Sequence, residues 1–289
     1  MVNKLFAIFV MCALYFPAQA YSDLEVIYPA MEERPIDSYG YKGLALALEK
    51  SGRKYHLSIS KNAMNSQRAR RSIDDGTISV LDAGTSAEFE KKYSAIYFPI
   101  DRGLSGYRLF IINKNLAPEF AAIKSLDDLQ KKVAGQGAGW ADIKILEGAG
   151  IKVVTGEFVA LFKMVDRRRF DFYPLGIEEI YSLYDKYRGA CPDSIIENTL
   201  TLHYPFARLF FVRKDNKDLH DALMEGLEKA FADGSFQDLI NKDASFRELQ
   251  LRANIKNRTI IEVDNPNLTP QFRQIPAKYF IKPLINSVN

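Results

Sequence analysis

The chain has 289 residues, of which 47% are apolar and 26% charged. That length suits about two domains, and those fractions exclude a disordered chain, a collagen-like repeat and a polytopic membrane protein. Lysine and arginine together number 39 against 36 aspartate and glutamate. Such a near balance makes nucleic acid a poor default partner, because gripping a phosphate backbone needs a concentrated basic surface.

The first twenty residues stand apart. Lys4 precedes an apolar run from Leu5 to Phe16, and Ala18-Gln19-Ala20 supplies a small-x-small end. That is the pattern of a secretory signal peptide, with cleavage expected after Ala20, and the run falls short of the ~20 residues a membrane span takes. The mature chain is therefore expected to be exported and periplasmic. Cys12 leaves with the leader, so Cys191 remains alone and no intramolecular disulfide is expected. The simplest reading of Cys191 is a small buried hydrophobe.

Leu24 to Tyr28 reads as a strand, and Leu44 to Lys50 as a helix stopped by Ser51-Gly52. Tyr55 to Ser60 alternates like a strand, Ala63 to Ser72 reads as a basic helix, and Thr77 to Leu81 as the next strand. The basic run Arg68, Arg70 and Arg71 is expected on a solvated face. Two β-α-β units by residue 82 mark an α/β layer. A second α/β region opens with the strand Tyr107 to Asn113. Ser125-Leu126-Asp127-Asp128 has capping-box spacing and predicts a helix to about Lys131, before a short strand Lys132 to Ala134. Gly135 to Gly139 then leads into a helix from Trp140 to Glu147. Strands are expected at 151–154, 170–173 and 209–212, and helices at 159–168, 178–187, 218–232 and 236–242.

The first region holds too few strands to complete a sheet unless the chain returns to it, and the helices of 218–242 have no other partner. The expected organisation is a signal peptide at 1–20, a discontinuous first lobe of 21–108 plus 206–243, an inserted second lobe of 109–205, and an extension at 244–289. Two lobes joined by two crossings enclose a cleft, where small ligands commonly bind.

This order of segments resembles the family 3 extracellular solute-binding proteins, the periplasmic components of amino-acid-type ABC transporters. The resemblance rests on Gly40-Tyr41-Lys42-Gly43, on Tyr93 to Phe98, on Leu126-Asp127-Asp128-Leu129 with the glycine cluster, and on Asp233-Gly234-Ser235. Gly103 to Arg108, Gly137 to Asp142 and Arg169 to Phe172 are similar to phrases of one incompletely characterised branch. The resemblance implies an α/β, two-lobed, type II periplasmic-binding-protein-like fold with a hinge. It implies a small-molecule ligand, a membrane permease or sensor as partner, and a monomer without a cofactor. Two departures put an amino-acid ligand in question. The segment Ala83 to Phe89, where members of the family hold the ligand carboxylate with an arginine, has none and offers Thr85 and Ser86. The family's acidic residue on the second lobe falls at Gly176, with Glu178 two positions on.

Each remaining candidate has two readings. The glycines ending at Gly139 either make a tight turn or let backbone N–H groups face an anion. Trp140, the only tryptophan, either stacks on a ligand or packs between lobes. Arg108 either offers a fork to a ligand carboxylate or makes a surface ion pair. Tyr28 and Tyr173 are cleft walls or core. Glu178 meets a ligand cation or serves the helix dipole.

Catalysis finds no pattern. His56, His203 and His220 lack metal spacing, Cys191 is followed by Pro192, and no Gly-x-Ser-x-Gly elbow occurs. The expectation is a non-catalytic, metal-free binding protein for a small polar or acidic, amino-acid-like solute that feeds an ABC transporter. A soluble sensor for a membrane receptor and an enzyme on the same scaffold are the alternatives.

Overall fold

The computed structural model describes residues 23–32 and 36–281, so the expected leader and its cleavage position lie outside the described residues. In chain order the first elements are β1 (Leu24–Tyr28), α1 (Tyr39–Ser51), β2 (Tyr55–Ile59), α2 (Ser66–Asp74), β3 (Val80–Gly84), α3 (Ala87–Lys92) and β4 (Ser94–Ile96). Then come β5 (Tyr107–Asn113), α4 (Ala117–Ala121), α5 (Leu126–Leu129), β6 (Val133–Gly137), α6 (Asp142–Gly148), β7 (Lys152–Gly156), α7 (Phe158–Asp166), β8 (Phe172–Gly176) and α8 (Ile180–Tyr187). The chain ends through β9 (Ser194–Ile196), β10 (Leu200–His203), β11 (Arg208–Val212), α9 (Lys217–Ala232), α10 (Ser235–Lys242), α11 (Ala244–Arg252), β12 (Thr259–Glu262) and α12 (Pro270–Arg273).

One lobe is built on the parallel pair β1–β2 and the antiparallel trio β3-β11-β4. Strand β11 comes from far along the chain, and α9 follows it to lie on α1. Gly226 makes that contact close: a β-carbon there would lie 1.8 Å from the carbonyl oxygen of Ala47. The other lobe has the order β12-β10-β5-β8-β6-β7, with β9 also on β5. All seven residues of β5 are buried, as expected of a strand covered on both faces.

Residues 244–281 pack against both lobes. Strand β12 extends the larger sheet beside β10, where Arg258, 8% exposed, donates to the carbonyls of Ala253, Glu197 and Leu200. Farther on, the Tyr279 ring packs on Phe98 and Phe231, and Arg102 donates to the carbonyls of Tyr279 and Lys278.

Local differences from the sequence reading have local causes. Residues 87–92, for which no expectation was set, form a helix, because Ser86 caps it by accepting from Phe89 N at 3.2 Å and Glu88 and Glu90 fill its first turn. Ser125 caps its helix as expected, with its Oγ accepting from Asp128 N at 3.3 Å, yet α5 stops at Leu129. Strand β8 runs two residues later than expected and includes Pro174, which a lone-sequence pattern discourages in a strand.

Candidate ligand-binding site

Between the lobes lies a cavity of about 120 Å³. The first lobe contributes Arg70 from α2, Asp82 from β3 and Arg208 from β11. The second contributes Arg108 from β5, Asp142 from α6 and the neighbours Glu178 and Glu179 before α8. Trp140, Phe158 and Phe206 add apolar walls. A second depression of about 420 Å³ shares Arg70 and Trp140 and includes Ser86 and Gly139.

Two of the arginines are spent on internal carboxylates. Arg108 is 4% exposed, and its Nη2 lies 2.6 Å from Asp142 Oδ1. Its guanidinium sits 5.4 Å from the Tyr204 ring centre and 5.1 Å from that of Phe206, while the Tyr204 hydroxyl donates to the same Asp142 oxygen. In the other lobe Arg208 Nη2 meets Asp82 Oδ2 at 2.5 Å, and the Tyr28 hydroxyl donates to Asp82 Oδ1. Asp101, 1% exposed, ties the segment between β4 and β5 together: it accepts from Gly103 N at 3.1 Å, Ser105 N at 3.0 Å and Arg208 N at 3.2 Å.

The two glutamates have no such cation. Glu179 Oε1 accepts from Gly176 N at 3.3 Å, and Glu178 Oε2 is buried with no hydrogen-bond partner among the described residues. Burial first, then the charges of Glu179 and Asp101, push the Glu178 carboxyl up to about 8, with Arg108 opposing. A buried carboxyl oxygen left unpaired is costly, and a ligand cation or donor in the cavity would satisfy it.

Of the eight residues singled out from sequence, Arg108, Trp140 and Glu178 line this cavity. Arg108 does so with its Nη2 paired to Asp142, whereas its buried Nε has no hydrogen-bond partner among the described residues. Tyr28 and Tyr173 are buried: Tyr28 behind Asp82, Tyr173 in a ring cluster with Trp140, Phe162 and Phe170. Thr85 is 2% exposed and donates to Glu90 Oε1, and Ser86 serves as a helix cap. Gly139, with φ +79°, lies in the outer depression. The expected N–H cradle is not available at Trp140, whose N–H donates to the Gly137 carbonyl at 3.1 Å, and α6 starts only at Asp142. The Trp140 ring lies over Gly137, where a β-carbon would fall 2.4 Å from Cε2.

Sequence reasoning missed Arg70, Asp82, Asp142, Glu179 and Arg208. The expected solvated face holds for Arg68 and Arg71, which are exposed, but not for Arg70, which is half-buried. A signal for Arg208 was present: an arginine opening an otherwise apolar strand has to find a counter-charge. No His, Cys, Asp and Glu group among the described residues is arranged to hold a metal ion, and no helix among them is long and apolar enough to cross a membrane.

No protein-family model matches the chain, and no curated protein matches it. Solved structures do. An ancestral arginine-binding protein bound to arginine is 19% identical with a TM-score of 0.56, over 75% of this chain and 97% of that one. A periplasmic binding protein of Salmonella typhimurium described for high arginine specificity is 14% identical with a TM-score of 0.54, over 76% and 98%. A histidine kinase sensor domain similar to periplasmic binding proteins is 13% identical with a TM-score of 0.56, over 75% and 95%. The neighbours match over nearly their whole length, so about a quarter of this chain has no counterpart in them. The chain thus has the two-lobed α/β fold of the amino-acid ABC transporter substrate-binding proteins.

Proposed function

We propose that the protein is a periplasmic, non-catalytic solute-binding protein that captures a small polar, amino-acid-like solute between its lobes and delivers it to a membrane ABC transporter. The observation that carries this reading is the inter-lobe cavity, charged from both sides, with a Glu178 carboxyl on its wall whose Oε2 has no hydrogen-bond partner among the described residues. The family's acidic position is Gly176 here, and the Glu178 carboxyl folds back over it, so an acidic side chain still occupies that space. Capture would shift the population from open toward closed lobes, and the closed form is what a partner would read.

A thermal-shift screen of amino acids, amines and small carboxylates tests the reading. A ligand at ~100 times its dissociation constant adds about 2.7 kcal/mol, an easily read rise in melting temperature. A rise with one solute class is the expected result, and none across the panel would remove the reading. The sensor-domain neighbour favours a second reading, a soluble ligand sensor for a membrane receptor. Binding of the purified, liganded protein to a permease rather than to a receptor ectodomain separates the two.

A further inference from the structure

Three arginines line the cavity, and their partners differ. Arg108, nearly buried, pairs with Asp142, and Arg208, partly buried, pairs with Asp82. Arg70 has no carboxylate within 4.0 Å among the described residues. Its guanidinium lies 5.3 Å from the centre of the Phe89 ring, which is itself fixed edge-on by Tyr93 at 4.6 Å and Phe211 at 4.5 Å. The backbone of Arg70 is held as well: its helix is capped by Asn65, Ala69 and Ile73 are buried, and the Tyr93 hydroxyl lies 2.9 Å from the Arg70 carbonyl. The nearest carboxylate by charge, Glu88, is 86% exposed and reaches instead across the cleft mouth to Lys144 at 3.7 Å. Nη1 of Arg70 comes within 3.8 Å of where a β-carbon of Gly139 would stand, so the guanidinium spans from one lobe to the other.

We infer that Arg70 is the residue that holds the ligand's acid group, in place of Arg108 or of any residue in 83–89. This rests on the solute-binding reading above. A planar guanidinium held over an aromatic ring keeps its fork edge free for a carboxylate, and half-buried Arg70 has no ion-pair partner among the described residues to occupy that edge. Burial does push the Arg70 guanidinium below its ordinary value, with Glu88 opposing. With Glu178 on the opposite lobe, the ligand lies with its anionic end on α2 and its cationic end before α8. A solute with only one kind of charge leaves one of these two groups unmatched.

The test uses L-arginine, which carries cations both near to and far from its carboxylate, and agmatine, the same molecule without the carboxylate. Titration calorimetry is run on the wild type, Arg70→Ala, Arg70→Lys and Glu178→Gln, with circular dichroism to confirm that each is folded. Arg70→Ala should weaken L-arginine by ~10 to 150-fold and leave agmatine unchanged. Arg70→Lys should recover only part of the loss, because an ammonium has no fork. Glu178→Gln should weaken both probes. The assignment is overturned if Arg70→Ala binds L-arginine like the wild type, if it loses both probes equally, or if the wild type binds neither. In that last case a melting-temperature rise with any other solute of the panel keeps the solute-binding reading, and no rise removes it too.

Discussion

The carboxyl group of Glu178 is folded over Gly176, so that a β-carbon on Gly176 would lie 2.5 Å from Glu178 Oε2. The glycine makes room for an acid that no cation among the described residues pairs. Because this carboxyl is pushed up to about 8 in the folded chain and titrates near 4.3 when unfolded, the native state holds a proton that the unfolded state has lost in between. Stability contributed in this way is fully present below about pH 4.3 and is lost as pH rises toward 8, by something on the order of a few kcal/mol. Urea midpoints should therefore fall from about pH 5 to about pH 8.5 in the wild type, and Glu178→Gln should flatten that part of the slope. Parallel profiles would show that the Glu178 carboxyl is not held in this surrounding.

Gly176→Ala should reach the same end by displacement. The atoms it would strike are the tip of a flexible side chain, and φ at residue 176 lies outside the positive region, so the fold should survive. The expected outcome is a melting temperature near that of the wild type with a reduced pH slope. A variant that keeps the full slope would mean the carboxyl has room to remain where it is.

Arg108 should behave as a structural residue. Removing it leaves Asp142 buried with only the Tyr204 hydroxyl for company, and stranding one partner of a buried pair costs roughly 3–5 kcal/mol. Chemical denaturation of Arg108→Ala should show that loss, and the double variant Arg108→Met with Asp142→Leu should regain most of it. A loss under about 1 kcal/mol would count against the pair.

Trp140 gives a spectroscopic handle because it is the only tryptophan. Gly137→Ala should push the indole off its seat, since the new methyl would meet Cε2 at 2.4 Å. The expected result is a shift of the ligand-free emission toward longer wavelength. Emission identical to the wild type would indicate that the ring seat is elsewhere.

Cys191 is fully buried, and burial first, with Asp166 adding, pushes its thiol up to about 11 against the opposing charge of Arg188. An aromatic disulfide reagent at mildly alkaline pH should leave it unmodified in the native protein and label it once the protein is unfolded. Fast labelling of the folded chain would contradict the burial.

What the sequence determined by itself was the local order of this fold. Strands such as Tyr107 to Asn113 and helices such as Lys217 to Ala232 are visible because apolar periodicity and end signals act over a few residues. The candidates next to such signals, Trp140 after its glycines and Glu178 at a helix start, were legible for the same reason. Tertiary structure alone decided which charges remain available. Asp82 and Arg208 are 126 positions apart, and nothing local to either marks the other. Arg70 looked like one of three solvated arginines on a basic helix until the second lobe approached it. Burial, not composition, turns a surface charge into a group that requires a partner, and burial is set by how two distant segments of chain pack.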